Sequence, residues 1–359
     1  MERPKATLTY VMPDSISGKD ASDPLRPLNN ATKKRAASFD PLGVSTPLPH
    51  SGVVHPYGFP VLIKTNHPGA IEHAQFSWGL FKKHFREAPV ELRIIVSDNV
   101  AAATPPVPVY RAQANLLTIV SDAANYGCCD LARGLGVANI AKATVEHGEF
   151  FRYNFLEGMV YTLLDAKHLA TLHAGCVARK NCGVLLVGES GAGKSSFSYA
   201  CSRRGWTYIS DDASSLVIKR RNRTVLGNPH TIRFRPSIST LFPELQGHVK
   251  DRNGKPTLEI RTEQFSPFKW AQECEVSYVI FLRRNEKDDD PERLTPVSPA
   301  ARLRRILYNP WPVELPIYQD RIVAIAHLMS APTYELCYRN FDRAIDRLER
   351  LIDRSAPLN

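Results

Sequence analysis

The stretch GVLLVGESGAGKSSFSYACSRRG, residues 183–205, constrains the fold more than any other part of the chain. An apolar run at 183–187 reads as a strand, and it enters a glycine-rich loop directly. A helix pattern from Lys194 to Arg203 leaves the loop and stops at Gly205, a glycine stop signal. The loop residues Gly188, Glu189, Ser190, Gly191, Ala192, Gly193, Lys194 and Ser195 satisfy G-x-x-x-x-G-K-[ST] in full, and Ser196 follows. Glycines at 188, 191 and 193 let backbone N–H groups turn toward phosphate oxygens, and the helix start adds its positive end. Lys194 can reach terminal phosphates, and Ser195 is placed to ligate Mg2+. Strand, loop and helix in this order imply an α/β domain that binds a nucleoside triphosphate. They do not name the reaction, because transporters, GTPases, helicases and kinases share the loop.

The next strand, WTYIS at 206–210, ends in Asp211 and Asp212, and Asp211 lies seventeen residues after Lys194. One helix and one turn fill that interval. The pair therefore falls at the carboxyl end of the strand beside the loop, where α/β sheets bind ligands. One carboxylate can hold Mg2+ and the other can take a proton from an attacking hydroxyl. Taken alone, two aspartates could be no more than a polar strand end. Motor ATPases and GTPases generally carry their metal-binding aspartate further downstream, so the spacing favours a kinase.

The segment LHAGCVARKNCGVLLVGESGAGKSSFSYACSRRGWTYISDDASSLV, 172–217, resembles the catalytic domain of the HPr kinase/phosphorylase family. His173, the loop, Arg204–Gly205 and Asp211–Asp212 match that family's order and spacing. The likeness is specific over 172–217 and extends in outline over 166–355. It implies a P-loop fold related to phosphoenolpyruvate carboxykinase, with ATP and Mg2+ as cofactors. It also implies transfer of a phosphoryl group to a hydroxyl of a small metabolite or a protein serine, and a homo-oligomer. By the family pattern Asp211 is the base, Asp212 and Ser195 serve the metal, and His173 lines the site. Two departures stand out: Ser196 occupies the place of a family glutamate, and LEIRTEQF at 258–265 lacks the glycines of the family's second signature. A non-catalytic ATP-binding regulator is the alternative these departures suggest.

His173 also reads as an ordinary core histidine. Arg233 and Arg235 in HTIRFRPS, with Arg261, are candidates to neutralise a transferring phosphate, or else they line a solvated face. The net charge of +10 raises a further alternative, a nucleic-acid-associated ATPase. The basic runs lie far apart and carry no interleaved aromatics, so nucleic acid is not expected as a partner. Seven scattered cysteines lack paired spacing, which favours a reducing, cytoplasmic setting, and no apolar run is long enough for a membrane. Residues 1–55 show no apolar period and read as a flexible arm. Residues 56–165 read as a smaller α/β domain, with strands near 59–66, 90–98 and 115–122 and helices at 69–85 and 149–169. Residues 166–355 read as the kinase domain. Its further strands are expected at 170–178 and 333–338, with helices at 237–245, 298–308, 318–330 and 341–353.

Overall fold

The structure is a computed structural model and describes residues 40, 42, 44–98, 105–220, 222–245, 249–252, 255–265, 267–284, 292–298 and 317–355. By contacts the chain divides into Met1–Pro41 and Leu42–Asn359, and every element named below belongs to the second unit. Among the described residues it is a mixed α/β structure with three sheets.

The first sheet has seven strands: β1 (His50–Val54), β2 (Val61–Thr65), β3 (Val90–Ser97), β4 (Val109–Gln113), β5 (Leu116–Val120), β6 (Tyr126–Asp130) and β7 (Leu135–Ala141). Their order is β1-β2-β3-β7-β6-β5-β4. The three central strands β2, β3 and β7 run parallel, flanked by antiparallel strands. Helix α1 (Pro68–Trp78) connects β2 to β3 and buries Ala70, Ala74 and Trp78, a single face at four-residue spacing. Pro68 opens this helix, and His67 caps it by accepting from the Gly69 N–H at 3.2 Å. After β7 come α2 (Lys142–Glu146), α3 (Gly148–Phe151), a π-helical turn (Arg152–Leu156) and α4 (Glu157–Lys167). Met159, Val160, Leu163 and Leu164 of α4 are fully buried in the core of this layer.

The second sheet is built from β8 (Leu169–Leu172), β9 (Ala174–Arg179), β10 (Cys182–Val187), β11 (Thr207–Ser210), β12 (Ser214–Val217), β13 (Thr224–Gly227) and β17 (Glu273–Arg284), with β18 (Arg293–Pro296) and β19 (Thr333–Tyr338) at one side. Its centre is parallel: β10 and β19 both run alongside the long strand β17. Helix α5 (Lys194–Arg203) follows β10, α6 (Tyr318–Met329) precedes β19, and α7 (Phe341–Ser355) ends the described chain. A third sheet, β14 (Thr231–Phe234), β16 (Lys255–Arg261) and β15 (Val249–Arg252), is antiparallel.

Several elements depart from expectation. β1 lies inside the segment read as an arm. It is an edge strand with one buried residue, so its sequence HSGVV carries no apolar period. The helix read at 69–85 stops at Trp78, where Gly79 and Phe81 fold back in tight turns onto Gln75 and Trp78. The strand read at 170–178 is two strands, because β8 pairs with β12 while β9 pairs with β10, and the chain bends at His173 between them. The helix read at 237–245 is a short 3-10 turn, Pro236–Thr240. The helix read at 298–308 lies outside the described residues apart from Ser298. Among the described residues no helix is long and apolar enough to cross a membrane.

Candidate functional site

Val187, the last residue of β10, stands beside Phe281 of β17, and the glycine-rich loop begins at the next residue. Gly191 and Gly193 both have φ of +90°, a conformation that side-chain-bearing residues rarely adopt. Gly193 has a second constraint: a Cβ there would come within 2.5 Å of the Tyr338 hydroxyl. The loop closes through Ala192 N–H donating to Glu189 O at 3.0 Å, and α5 starts with Phe197 N–H donating to Gly193 O at 2.8 Å. The Tyr338 hydroxyl donates to Ala192 O at 2.8 Å. Glu189, Ser190 and Gly191 are exposed, and Ala192, Gly193, Ser195 and Ser196 are half-buried.

Lys194 is buried, and its Nζ donates to Gly188 O at 2.8 Å, to Glu189 O at 3.4 Å and to His173 Nε2 at 2.9 Å. An ammonium only donates, so Nε2 of His173 accepts and the ring proton is assigned to Nδ1. Nδ1 in turn lies 3.3 Å from Asp212 Oδ1. Burial, then the Lys194 charge, hold the His173 pKa below its usual value, while Asp212 pulls it the other way. Burial likewise lowers the Lys194 pKa against the opposing pull of Asp212 and Asp211. Loop, chain bend and strand end are thus joined by one run of polar contacts. The bend between β8 and β9 is what places the histidine there.

Asp211 and Asp212 leave the end of β11 in different directions, as neighbours on an extended chain do. Asp212 is half-exposed beside His173. Asp211 is buried, with Oδ1 accepting from the Tyr208 hydroxyl at 3.1 Å and Oδ2 accepting from the Arg233 backbone N–H at 3.1 Å. Burial, then the neighbouring Asp212 charge, push the Asp211 pKa up to about 6 despite those two donors.

Arg233 Nε donates to Glu259 Oε2 at 2.8 Å and Nη2 lies 3.4 Å from Glu157 Oε2, with the guanidinium over the Tyr153 ring at 5.0 Å. Arg152 pairs with the same two glutamates, at 2.9 Å to Glu157 and 3.5 Å to Glu259. The Tyr153 hydroxyl also donates to Glu259. Arg261 donates to Phe76 O at 2.7 Å and stacks on the Phe76 ring at 4.3 Å. Arg235 is exposed. The structure therefore brings His173, Lys194 and Asp212 into direct contact. Asp211 adjoins them in the chain, and the side chains of Arg233 and Arg261 are engaged with residues of the first layer. A cavity of about 240 Å³ lined by Phe59, Phe85, His168, Lys219 and Arg220, among others, shares no residue with this constellation.

Among the described residues no group of three or more His, Cys, Asp or Glu side chains could hold a metal ion. Mg2+ itself needs only one or two protein oxygens, with phosphate and water supplying the rest. The half-exposed Asp212 carboxylate and the half-buried Ser195 hydroxyl offer such a donor set. Sequence reasoning missed Tyr208, Tyr338 and the Arg152–Glu157–Glu259 cluster. Tyr208 stands three residues before Asp211 and was legible as part of the strand, but its hydroxyl contact was not. Tyr338 comes from a strand far along the chain and carries no local signal.

No protein-family model matches the chain, and no curated protein matches it. Among solved structures, the HPr(Ser) kinase/phosphatase from Coxiella burnetii aligns over 52% of this chain and 99% of its own, at 15% identity and a TM-score of 0.29.

Proposed function

We propose that the protein is a Mg2+-dependent ATP kinase that transfers the γ-phosphoryl group to a hydroxyl of a small metabolite or a protein serine. The observation that carries this reading is the placement of Lys194. Its ammonium is held at the mouth of the glycine loop by Gly188 O and by His173, whose other ring nitrogen faces Asp212. A cation fixed there, beside a helix N-terminus, suits an anion that gains charge on its bridging oxygen during transfer. Ser195 and Asp212 would hold Mg2+, which when bound draws charge from the β- and γ-phosphate oxygens.

Asp211 is the base in this reading. Its carboxylate offers about four lone-pair directions, and internal donors take two, from Tyr208 and Arg233. A pKa near 6 leaves it ionised at neutral pH yet basic enough to accept a proton from an alcohol as the new O–P bond forms. The proton moves to Asp211, the bond from the γ-phosphorus to the bridging oxygen breaks, and ADP carries away the electron pair. Asp212 acts through His173, keeping the imidazole in the tautomer that accepts from Lys194.

The test is calorimetric titration with Mg·ATP, followed by an ADP-release screen over hydroxyl-bearing acceptors. Lys194→Ala is expected to weaken binding by about 10-fold to 100-fold, the range for a charge-assisted contact to phosphate. Equal affinity in the variant and the parent would remove the loop from the reading. A second reading, an ATP-binding regulator without turnover, is favoured by Ser196 in place of a glutamate and by the close engagement of Asp211. Tight ATP binding with no ADP formed on prolonged incubation would select it.

A further inference from the structure

Tyr338 is the last residue of β19, and it touches the glycine loop and the helix that follows it. Its hydroxyl donates to Ala192 O at 2.8 Å. Its hydroxyl oxygen lies 2.5 Å from the place a Gly193 Cβ would take. Its ring meets Phe197, in the first turn of α5, edge-on at 5.3 Å, and Phe341, which opens α7, at 5.6 Å. The tyrosine is itself fully buried, and β19 is held in register by β17, with Tyr338 opposite Arg284. A side chain so fixed is a rigid reference point for the loop.

The peptide between Ala192 and Gly193 is planar and trans, so its C=O and N–H point in opposite directions. Holding the Ala192 carbonyl on the Tyr338 hydroxyl therefore turns the Gly193 N–H away from the β19–α7 layer. Glycine at 193 would otherwise leave this peptide free to rotate, since it has no Cβ to restrict it. The same glycine is required because the tyrosine is there. Loop and tyrosine are matched: the small residue admits the hydroxyl, and the hydroxyl removes the freedom that the small residue introduces.

We infer that Tyr338 is a positioning residue for the phosphate loop, setting the direction of the Gly193 N–H so that it can donate to an anionic phosphate oxygen. This rests on the nucleotide reading for its ligand but not for its geometry. The test uses the full chain and Tyr338→Phe, which keeps the ring packing on Phe197 and Phe341 and deletes the hydroxyl. In nucleotide-free protein, amide hydrogen exchange across 188–194 is expected to quicken by about threefold to tenfold, the worth of one internal hydrogen bond. The melting temperature is expected to stay within about 2 °C of the parent. The Kd for Mg·ATP is expected to rise by a similar factor of about three to ten. A Gly193→Ala substitution is expected to raise Kd more in the parent than in the Tyr338→Phe variant, because the positive-φ strain is common to both and only the hydroxyl clash differs.

Unchanged exchange in the loop, or an equal effect of Gly193→Ala with and without the tyrosine hydroxyl, would overturn the inference. Faster exchange in a protein whose parent form binds no Mg·ATP would leave Tyr338 as the loop's anchor and would instead remove the nucleotide reading.

Discussion

Asp211 and Asp212 are neighbours in the chain and live in opposite surroundings. Asp212 faces His173 and solvent, while Asp211 is enclosed by Tyr208, the Arg233 backbone and the end of the strand. Burial raises the Asp211 pKa from 3.8 to about 6. Between those values the folded protein keeps a proton that the unfolded chain has lost, so stability falls as pH rises through this window and stays lower above it. Asp211→Asn is expected to raise the melting temperature above pH 6, with the difference closing below about pH 4; the gain is on the order of 3 kcal/mol as an upper bound. The same variant is expected to keep Mg·ATP binding and to lose turnover by at least about 100-fold, as removal of a general base does. In the parent, kcat/KM is expected to fall on the acid side through about pH 6 as Asp211 takes up its proton. Full turnover in Asp211→Asn, or a flat profile between pH 5 and 7, would remove Asp211 as the base.

At the scale of elements, the cluster of Arg152, Glu157, Arg233, Glu259 and Tyr153 ties the helical run after β7 to the third sheet. Since the Arg233 N–H also holds Asp211, this cluster supports the site from behind. Despite an opposing burial penalty, the arginines, Arg233 foremost, and the Tyr153 hydroxyl bring the Glu259 pKa down to about 2. The stability this contributes is present above the usual glutamate value and is lost as pH falls toward 2. Glu259→Gln is expected to cost about 3 kcal/mol in urea unfolding at pH 7, since it leaves the two guanidinium groups of Arg152 and Arg233 only the Glu157 carboxylate to share, with the difference narrowing below about pH 4. A cost independent of pH would show that packing, not charge, is responsible.

Legibility also divides at this scale. β2, β3 and β10 were visible because branched apolar residues fill them. β6 and β7 were not, because glycine, alanine and cysteine fill most of their buried positions and leave Val137 and Ile140 as the branched ones. Those small residues are required by neighbours across the layer. A Cβ on Gly136 would meet Leu92 at 2.9 Å, and one on Gly127 would meet the Val137 carbonyl at 2.9 Å. Close packing against the adjoining strands replaced strand propensity there.

At the scale of the molecule, the two large sheets share apolar packing. Val217 of β12 and Leu226 of β13 lie in the same core cluster as β2, β3 and α4. Arg321 of α6 is buried against α4, donating to the Asp165 and Leu169 carbonyls and pairing with the Asp165 carboxylate at 3.2 Å. Residues 56–165 and 166–355, read from sequence as two domains, lie within one contact unit. Calorimetry is therefore expected to show a single transition whose calorimetric and van't Hoff enthalpies agree. Two resolved transitions would show that the sheets unfold separately.

The amino-acid sequence by itself determined the strand–loop–helix unit and the arrival of two aspartates at the next strand end, because backbone freedom at glycine, helix periodicity and a short connection are local properties. Only the tertiary structure decided that Asp211 and Asp212 part company, that His173 turns its ring to Lys194, and that Tyr338 anchors Ala192. Those outcomes depend on which buried donors and acceptors meet across strands distant in the chain, and no local pattern records where a folded sheet will place them.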